Sequence, residues 1–184
     1  MQVYVVPPDP DWANRYLAEA AVLRVALGAG EFEVHHIGST AVPGIHAKPI
    51  IDLLLEVGSL NWLDDRTARL TDLGYEALGE CGIPGRRYFR KSDEQGNRTH
   101  QVHAFETGSP GSRRHLAFRD YLRNHPEVAA EYSLLKQRLA AKCEHQIETY
   151  MDGKDPFIKR HERLALKWAE ECRPPAFSIP KEFK

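Results

Sequence analysis

The sequence predicts a single α+β domain. Two textures carry that expectation: residues 1–108 mix short β-type runs with turns, and residues 111–172 read as almost unbroken helix. The length agrees, because 184 residues is about one domain's worth. No repeat, low-complexity tract or Gly/Ser linker divides the chain. We expect one domain over residues 1–173 and a tail over 174–184. The domain should hold a small mixed β-sheet, one or two covering helices and a C-terminal helical group.

The elements follow in order. Asp9 to Asp11 offers a helix start before Trp12, and Tyr16, Leu17, Ala20 and Leu23 recur at helical spacing until Gly28 and Gly30 stop the run. Phe32–Ile37 is a short strand, and Gly38–Gly44 is a turn-rich loop. Ile50–Val57 is apolar at nearly every position, the mark of an interior strand covered on both faces. Trp62–Leu73 is amphipathic and closed by Gly74, so it reads as one helix with Trp62 in the core. Tyr75–Leu78, Arg87–Lys91 and His100–Phe105 are further strands, the last two joined as a hairpin through Gly96–Asn97. Helices are expected from Ser112 or Arg113 to Arg123, from Glu127 to about Glu144, and from Asp155 or Pro156 to Glu171. Pro126 opens the second of these, and Pro174–Pro175 closes the third.

Composition excludes several classes. Lys and Arg number 25 against 26 Asp and Glu, a net charge of -1, which rules out a chain-wide basic surface of the kind that coats nucleic acid. No aromatic–basic interleaving of a stacking platform is visible, so nucleic acid is not the expected partner. The most apolar stretch, Pro49–Val57, carries Asp52 and falls short of the roughly 20 residues a membrane span needs. The opening MQVYVVPPDP lacks the basic-then-apolar pattern of a signal peptide. Cys81, Cys143 and Cys172 are odd in number and widely spaced, as befits free thiols in a reducing compartment, so a cytoplasmic location is expected.

The chemistry concentrates between His35 and Asp52. A strand ends at Ile37, and Gly38 lets a ligand or backbone approach closely. Ser39 and Thr40 follow, able to cap a short helix or to offer hydroxyls to a phosphate. The next strand carries one carboxylate, Asp52, in apolar company, where a lone charge is costly unless it is paired or holds a cation. A Gly-Ser turn followed by a strand carboxylate is the ground plan of metal-dependent phosphoryl or nucleotidyl transfer. It is not a P-loop, since no Gly-Lys-Ser/Thr follows and Lys48 lies well beyond the turn.

The run HIGSTAVPGIHAKPIIDLLLEV resembles the signature of the GrpB-like family. Tyr4 with Pro8, Pro10 and Trp12, the block from Arg98 to His103, the FRDYLR helix from Phe118 to Arg123, and the pairs Tyr132–Lys136 and Tyr150–Lys154 are similar to further family blocks. The resemblance spans roughly residues 3–170 and implies the nucleotidyltransferase fold, with a candidate site but no settled substrate. Such enzymes set two carboxylates one residue apart on the strand, and here the second place is Leu54. Glu56 shares that face but lies about 13 Å from Asp52 by strand rise.

Three readings stand at this point. In the first, the protein is a metal-assisted nucleotide-binding protein that transfers a nucleotidyl group to a small acceptor. Asp52 and His103 would hold one Mg²⁺ or Mn²⁺, Gly38, Ser39 and Thr40 would cradle the phosphates, and Lys48, Arg119, Lys136 and Lys154 would neutralise them. In the second, the domain binds a nucleoside triphosphate or nucleotide-like metabolite without chemistry, Leu54 marking a lost carboxylate. In the third, His36, Asp52, His100 and His103 hold Zn²⁺ or Mn²⁺ for a hydrolase. Bland readings sit beside these: His36 as a hydrogen-bonded core histidine, Arg119 or Asp120 as a buried lock between helix and sheet, and Arg86, Arg87, Arg90 and Lys91 as a solvated edge or a rim that attracts anions. A protein partner or a second copy of the chain stays open.

Overall fold

The computed structural model describes residues 4–143 and 146–172. The expected tail and the end of the second C-terminal helix at Glu144 lie outside those residues. Among the described residues, twelve elements follow one another. Helix α1 (Asp11–Leu27) leads to β1 (Phe32–Ile37), a 3-10 turn (Ser39–Ala41) and β2 (Ile51–Val57). Then come α2 (Leu60–Asp64), α3 (Thr67–Asp72), β3 (Tyr75–Ala77), β4 (Arg87–Ser92) and β5 (Arg98–Glu106). Three helices follow: α4 (Pro110–Asn124), α5 (Pro126–Lys142) and α6 (Ile147–Glu171).

The five strands form one mixed sheet in the order β1-β2-β5-β4-β3. Only β2 and β5 run parallel; the other neighbours are antiparallel. The apolar β2 is interior, as its composition requires, and its alternate residues face different partners. Ile51, Leu53, Leu55 and Val57 pack with Trp12, Leu23 and Leu27 of α1 and with Leu63 and Leu70 of α2 and α3. On the opposite face Leu54 packs with Ile37, Phe105 and Leu116 of α4. A separate apolar group joins Val42 and Ile45 of the post-turn segment to Leu122 of α4 and to Ala129 and Tyr132 of α5. The three C-terminal helices therefore sit on the second face of the sheet and leave a cleft over the start of β2.

Two expectations are corrected. The run Trp62–Leu73 is two short helices, parted at Asp65 and Arg66. Arg66 leaves helical geometry and turns its guanidinium back onto the Trp62 carbonyl at 3.1 Å, while its backbone N–H bonds Leu63 in a tighter turn. The last helix starts at Ile147, not at Asp155, and runs through both Gly153 and Pro156. Gly153 serves packing here: a Cβ on it would lie 2.5 Å from Leu139 Cδ2 of α5. Continuation of this helix places Tyr150 and Lys154 on one face.

Candidate functional site

Asp52 stands at the start of β2, paired with Ile37 of β1 on one side and Gln101 of β5 on the other. Directly above it the chain turns at Gly38, whose φ of +70° favours glycine. The approach is close enough that a Cβ at Gly38 would sit 2.3 Å from Asp52 Oδ2 and 2.9 Å from Asp52 Cβ. The glycine is thus demanded twice, by conformation and by the carboxylate beneath it. His103 of β5 lies opposite Leu54, which turns it toward the same face. Its Nε2 is 3.9 Å from Asp52 Oδ1, and the Asp52 side chain keeps 27% of its surface exposed.

These groups line a cleft of about 510 Å³ between the sheet, the Ser39 turn and helices α4 to α6. Gly38, Ser39, Thr40, Lys48, Asp52, His103, Lys136 and Lys154, eight of the residues singled out from sequence, all border it. Thr40 does so with its hydroxyl committed inward, 3.0 Å from His36 Nε2 and 3.4 Å from the Ile50 carbonyl. Ser39 borders the cleft as well, with its hydroxyl against that of Tyr132.

Electrostatics gives the cleft its character. Lys136 lies over the Tyr132 ring and donates to the His46 carbonyl. Lys48 and Lys154 approach the Tyr150 ring from 4.9 and 5.2 Å. Burial lowers Lys136 to about 7 and Lys48 to about 8, with the Lys154 charge pushing both further down. Burial lowers Lys154 too, and Asp52 pulls all three the other way. Among the described residues, five cationic side chains, Lys48, Arg86, Arg98, Lys136 and Lys154, border the cleft against two carboxylates, Asp52 and Glu162. Glu162 is engaged by Arg114 at 3.1 Å. An enclosure of mutually repelling, partly desolvated lysines around a single free carboxylate is suited to a polyanion.

Two predicted site residues stand elsewhere. His36 belongs to the α1 face of the sheet: it stacks on Tyr16 at 4.7 Å, bonds Thr40, and is pushed by burial to about 4, so it is a neutral core imidazole. Arg119 grips Asp120 with two bonds of 2.7 and 3.0 Å and donates to the His36 carbonyl at 3.2 Å, which locks α4 to β1. His100 also faces α1, 3.9 Å from Glu19. The four-residue set His36, Asp52, His100 and His103 therefore does not assemble, and no group of three or more metal-ligating side chains is present among the described residues. Sequence reasoning placed Arg86 in an edge cluster and passed over His115. In the structure Arg87 pairs with Asp64, Arg90 with Glu76 and Lys91 with Glu19, while Arg86 turns inward to the cleft. The signal for His115 is its place on the buried stripe of α4, one turn from Arg119.

The donor set bears on a divalent cation. Leu54 is fully buried in the apolar group with Ile37 and Phe105, so no second strand carboxylate is available. Glu56 is bound by Ser112, by the Gly108 N–H and by His35, and does not turn toward Asp52. A two-cation carboxylate centre does not fit these residues. A single Mg²⁺ or Mn²⁺ does, because one open carboxylate plus phosphate oxygens and water is an ordinary environment for such an ion.

A sequence family described as GrpB protein matches residues 2–163. The UPF0157 protein YqkA of Bacillus subtilis is 43% identical over 167 residues, covering 91% of this chain and 48% of that protein, so the chain spans about half its length. The glutamate-rich protein GrpB of Alkalihalophilus pseudofirmus is 34% identical over 160 residues, covering 85% of this chain and 92% of that one. The crystal structure of the conserved protein GrpB from Enterococcus faecalis superposes with a TM-score of 0.85 at 41% identity, over 91% of this chain and 99% of the other. The chain belongs to the GrpB family.

Proposed function

We propose that the cleft binds a nucleoside triphosphate or a nucleotide-like phosphorylated metabolite, with one Mg²⁺ or Mn²⁺ at Asp52. The observation that carries this reading is the group of cations Lys48, Arg98, Lys136 and Lys154 around one free carboxylate. Lys48, Lys136 and Lys154 are placed to take phosphate charge, and Ser39 to donate a hydroxyl to it. Held at Asp52, the cation supplies charge neutralisation to a phosphate beside the strand. Lys136 and Lys48 are depressed without a ligand, so at neutral pH and above recharging them subtracts from the phosphate attraction.

Transfer to a small acceptor is the second reading, and Asp52 favours it: a partly exposed carboxylate on a rigid strand, with Gly38 leaving room directly above it. The buried Leu54 favours binding without transfer.

A thermal-shift panel of ATP, GTP, CTP, UTP and coenzyme A precursors with and without Mg²⁺ tests the first reading. A ligand at 100 times its dissociation constant should add about 2.7 kcal/mol, a few degrees for a chain of this size. The shift should vanish in Lys136→Met. If no phosphorylated ligand moves the wild-type midpoint, the reading fails. Asp52→Asn decides on transfer: turnover that it abolishes supports chemistry, and binding that survives with no turnover in the wild type removes it.

A further inference from the structure

The cleft has a second charged end that the phosphate reading does not use. Arg86, just before β4, is 7% exposed. Its Nε donates to the Glu80 carbonyl at 3.1 Å, its Nη2 to the Cys81 carbonyl at 2.8 Å, and its Nη1 to His103 Nδ1 at 3.4 Å. The guanidinium also lies 4.8 Å over the Tyr88 ring. None of the carboxylates among the described residues pairs with it, and burial lowers its pKa from the ordinary value. A buried cation without a counter-charge is expensive to keep. Three of its N–H groups are used, so two of the five remain to be satisfied.

His115 of α4 completes the corner. Its ring centroid is 5.2 Å from that of His103, and its Nε2 is buried with no hydrogen-bond partner. Burial holds this imidazole neutral. Arg86 has no acceptor to offer, so His103 Nδ1 must accept its bond. The ring then carries its proton on Nε2, which faces Asp52 and the cleft.

We propose that Arg86, His103 and His115 form a second oxyanion pocket in this cleft, which takes the carboxylate or phosphate group of a small acidic acceptor. The word acceptor rests on the nucleotide reading; the pocket does not. Its three polar groups come from the residue that precedes β4, from β5 and from α4.

The test uses the full chain, labelled with ¹⁵N, and follows the histidine ring nitrogens by NMR. Signals are assigned from His103→Gln and His115→Phe. Inorganic phosphate and malonate are titrated separately. Saturable shifts of both rings are expected with at least one probe, and the responding probe tells phosphate from carboxylate. The response should weaken by about tenfold or more in Arg86→Met, the equivalent of one charge-assisted hydrogen bond, and persist in Lys136→Met. If Arg86→Met does not fold, Arg86→Lys, which keeps the charge but loses the fork, should show the same weakening. Rings that neither probe moves, a response lost in Lys136→Met, or an Nδ1–H tautomer at His103 would each overturn the pocket. Ring shifts without any nucleotide-induced thermal shift would instead overturn the nucleotide reading and leave the pocket standing.

Discussion

Replacing Gly38 by alanine should damage both the fold and the cleft, and Gly44→Ala separates the causes. Both glycines have positive φ, +70° and +78°. An L-residue forced to such a positive φ costs about 1–3 kcal/mol. A Cβ on Gly44 meets nothing within 4 Å, so Gly44→Ala should cost that strain alone. At Gly38 the new Cβ would stand 2.3 Å from Asp52 Oδ2 and 2.9 Å from Asp52 Cβ. Rotating the carboxylate relieves the first contact but not the second, because Asp52 Cβ is fixed to an interior strand. Overpacking of this kind adds about 1–3 kcal/mol, for a total of roughly 2–6 kcal/mol. Urea unfolding of both variants measures the difference, and calorimetric titration with MgATP measures the cleft. The expected outcome is a cost at Gly38 at least twice that at Gly44, with nucleotide affinity lost only in Gly38→Ala. Equal costs, or intact affinity in Gly38→Ala, would refute the claim that Gly38 is there to seat Asp52.

Other outcomes follow from the same structure. Leu54→Ala removes a fully buried side chain between Ile37 and Phe105 and should cost about 2–5 kcal/mol in urea unfolding; a loss within experimental error would mean that the position is not a packing site. Arg119→Met should lower stability by about 1–3 kcal/mol through loss of its bond to the His36 carbonyl, while nucleotide affinity stays within about twofold of wild type. Anion affinity should fall as pH rises from 6 to 9, because Lys136 and Lys48 lose their protons near 7 and 8. Stability of the ligand-free chain should run the other way from these two groups. Unfolded lysines keep their protons to about 10.4, so the native state binds fewer protons across that window and gains stability as pH rises. Lys136→Met should flatten that slope in urea titrations at pH 6 and 8.5; an unchanged slope would contradict the assignment.

Much of the fold was legible because local rules and tertiary context agree there. Phe32–Ile37 and the run ending at Val57 are bounded by glycines and turns, and Gly28 stops α1 with a φ of +72°. Where context overrode the local signal, the reading slipped. Gly153 and Pro156 look like breakers, yet α5 packs so close to Gly153 that the helix continues past both. Lys136 and Lys154 were legible through their shared helix faces with Tyr132 and Tyr150. Arg119 was not, because a helix stripe near phosphate and a lock onto β1 use the same residue types, and only the seating of α4 decides between them. Arg86 differs from its neighbours Arg87, Arg90 and Lys91 in nothing local. What separates it is that each of the others finds a carboxylate and it does not.

The central claim is that phosphates sit among the cleft lysines. Proton uptake on binding tests it most directly. MgATP is titrated calorimetrically at pH 8 in two buffers of different ionisation enthalpy, at the point where Lys136, near 7, and Lys48, near 8, are largely or partly deprotonated. Phosphates that recharge them should draw in about one proton per site, and the uptake should disappear in the Lys48→Met/Lys136→Met double variant. Binding with no net uptake, or uptake that survives in the double variant, would contradict the account.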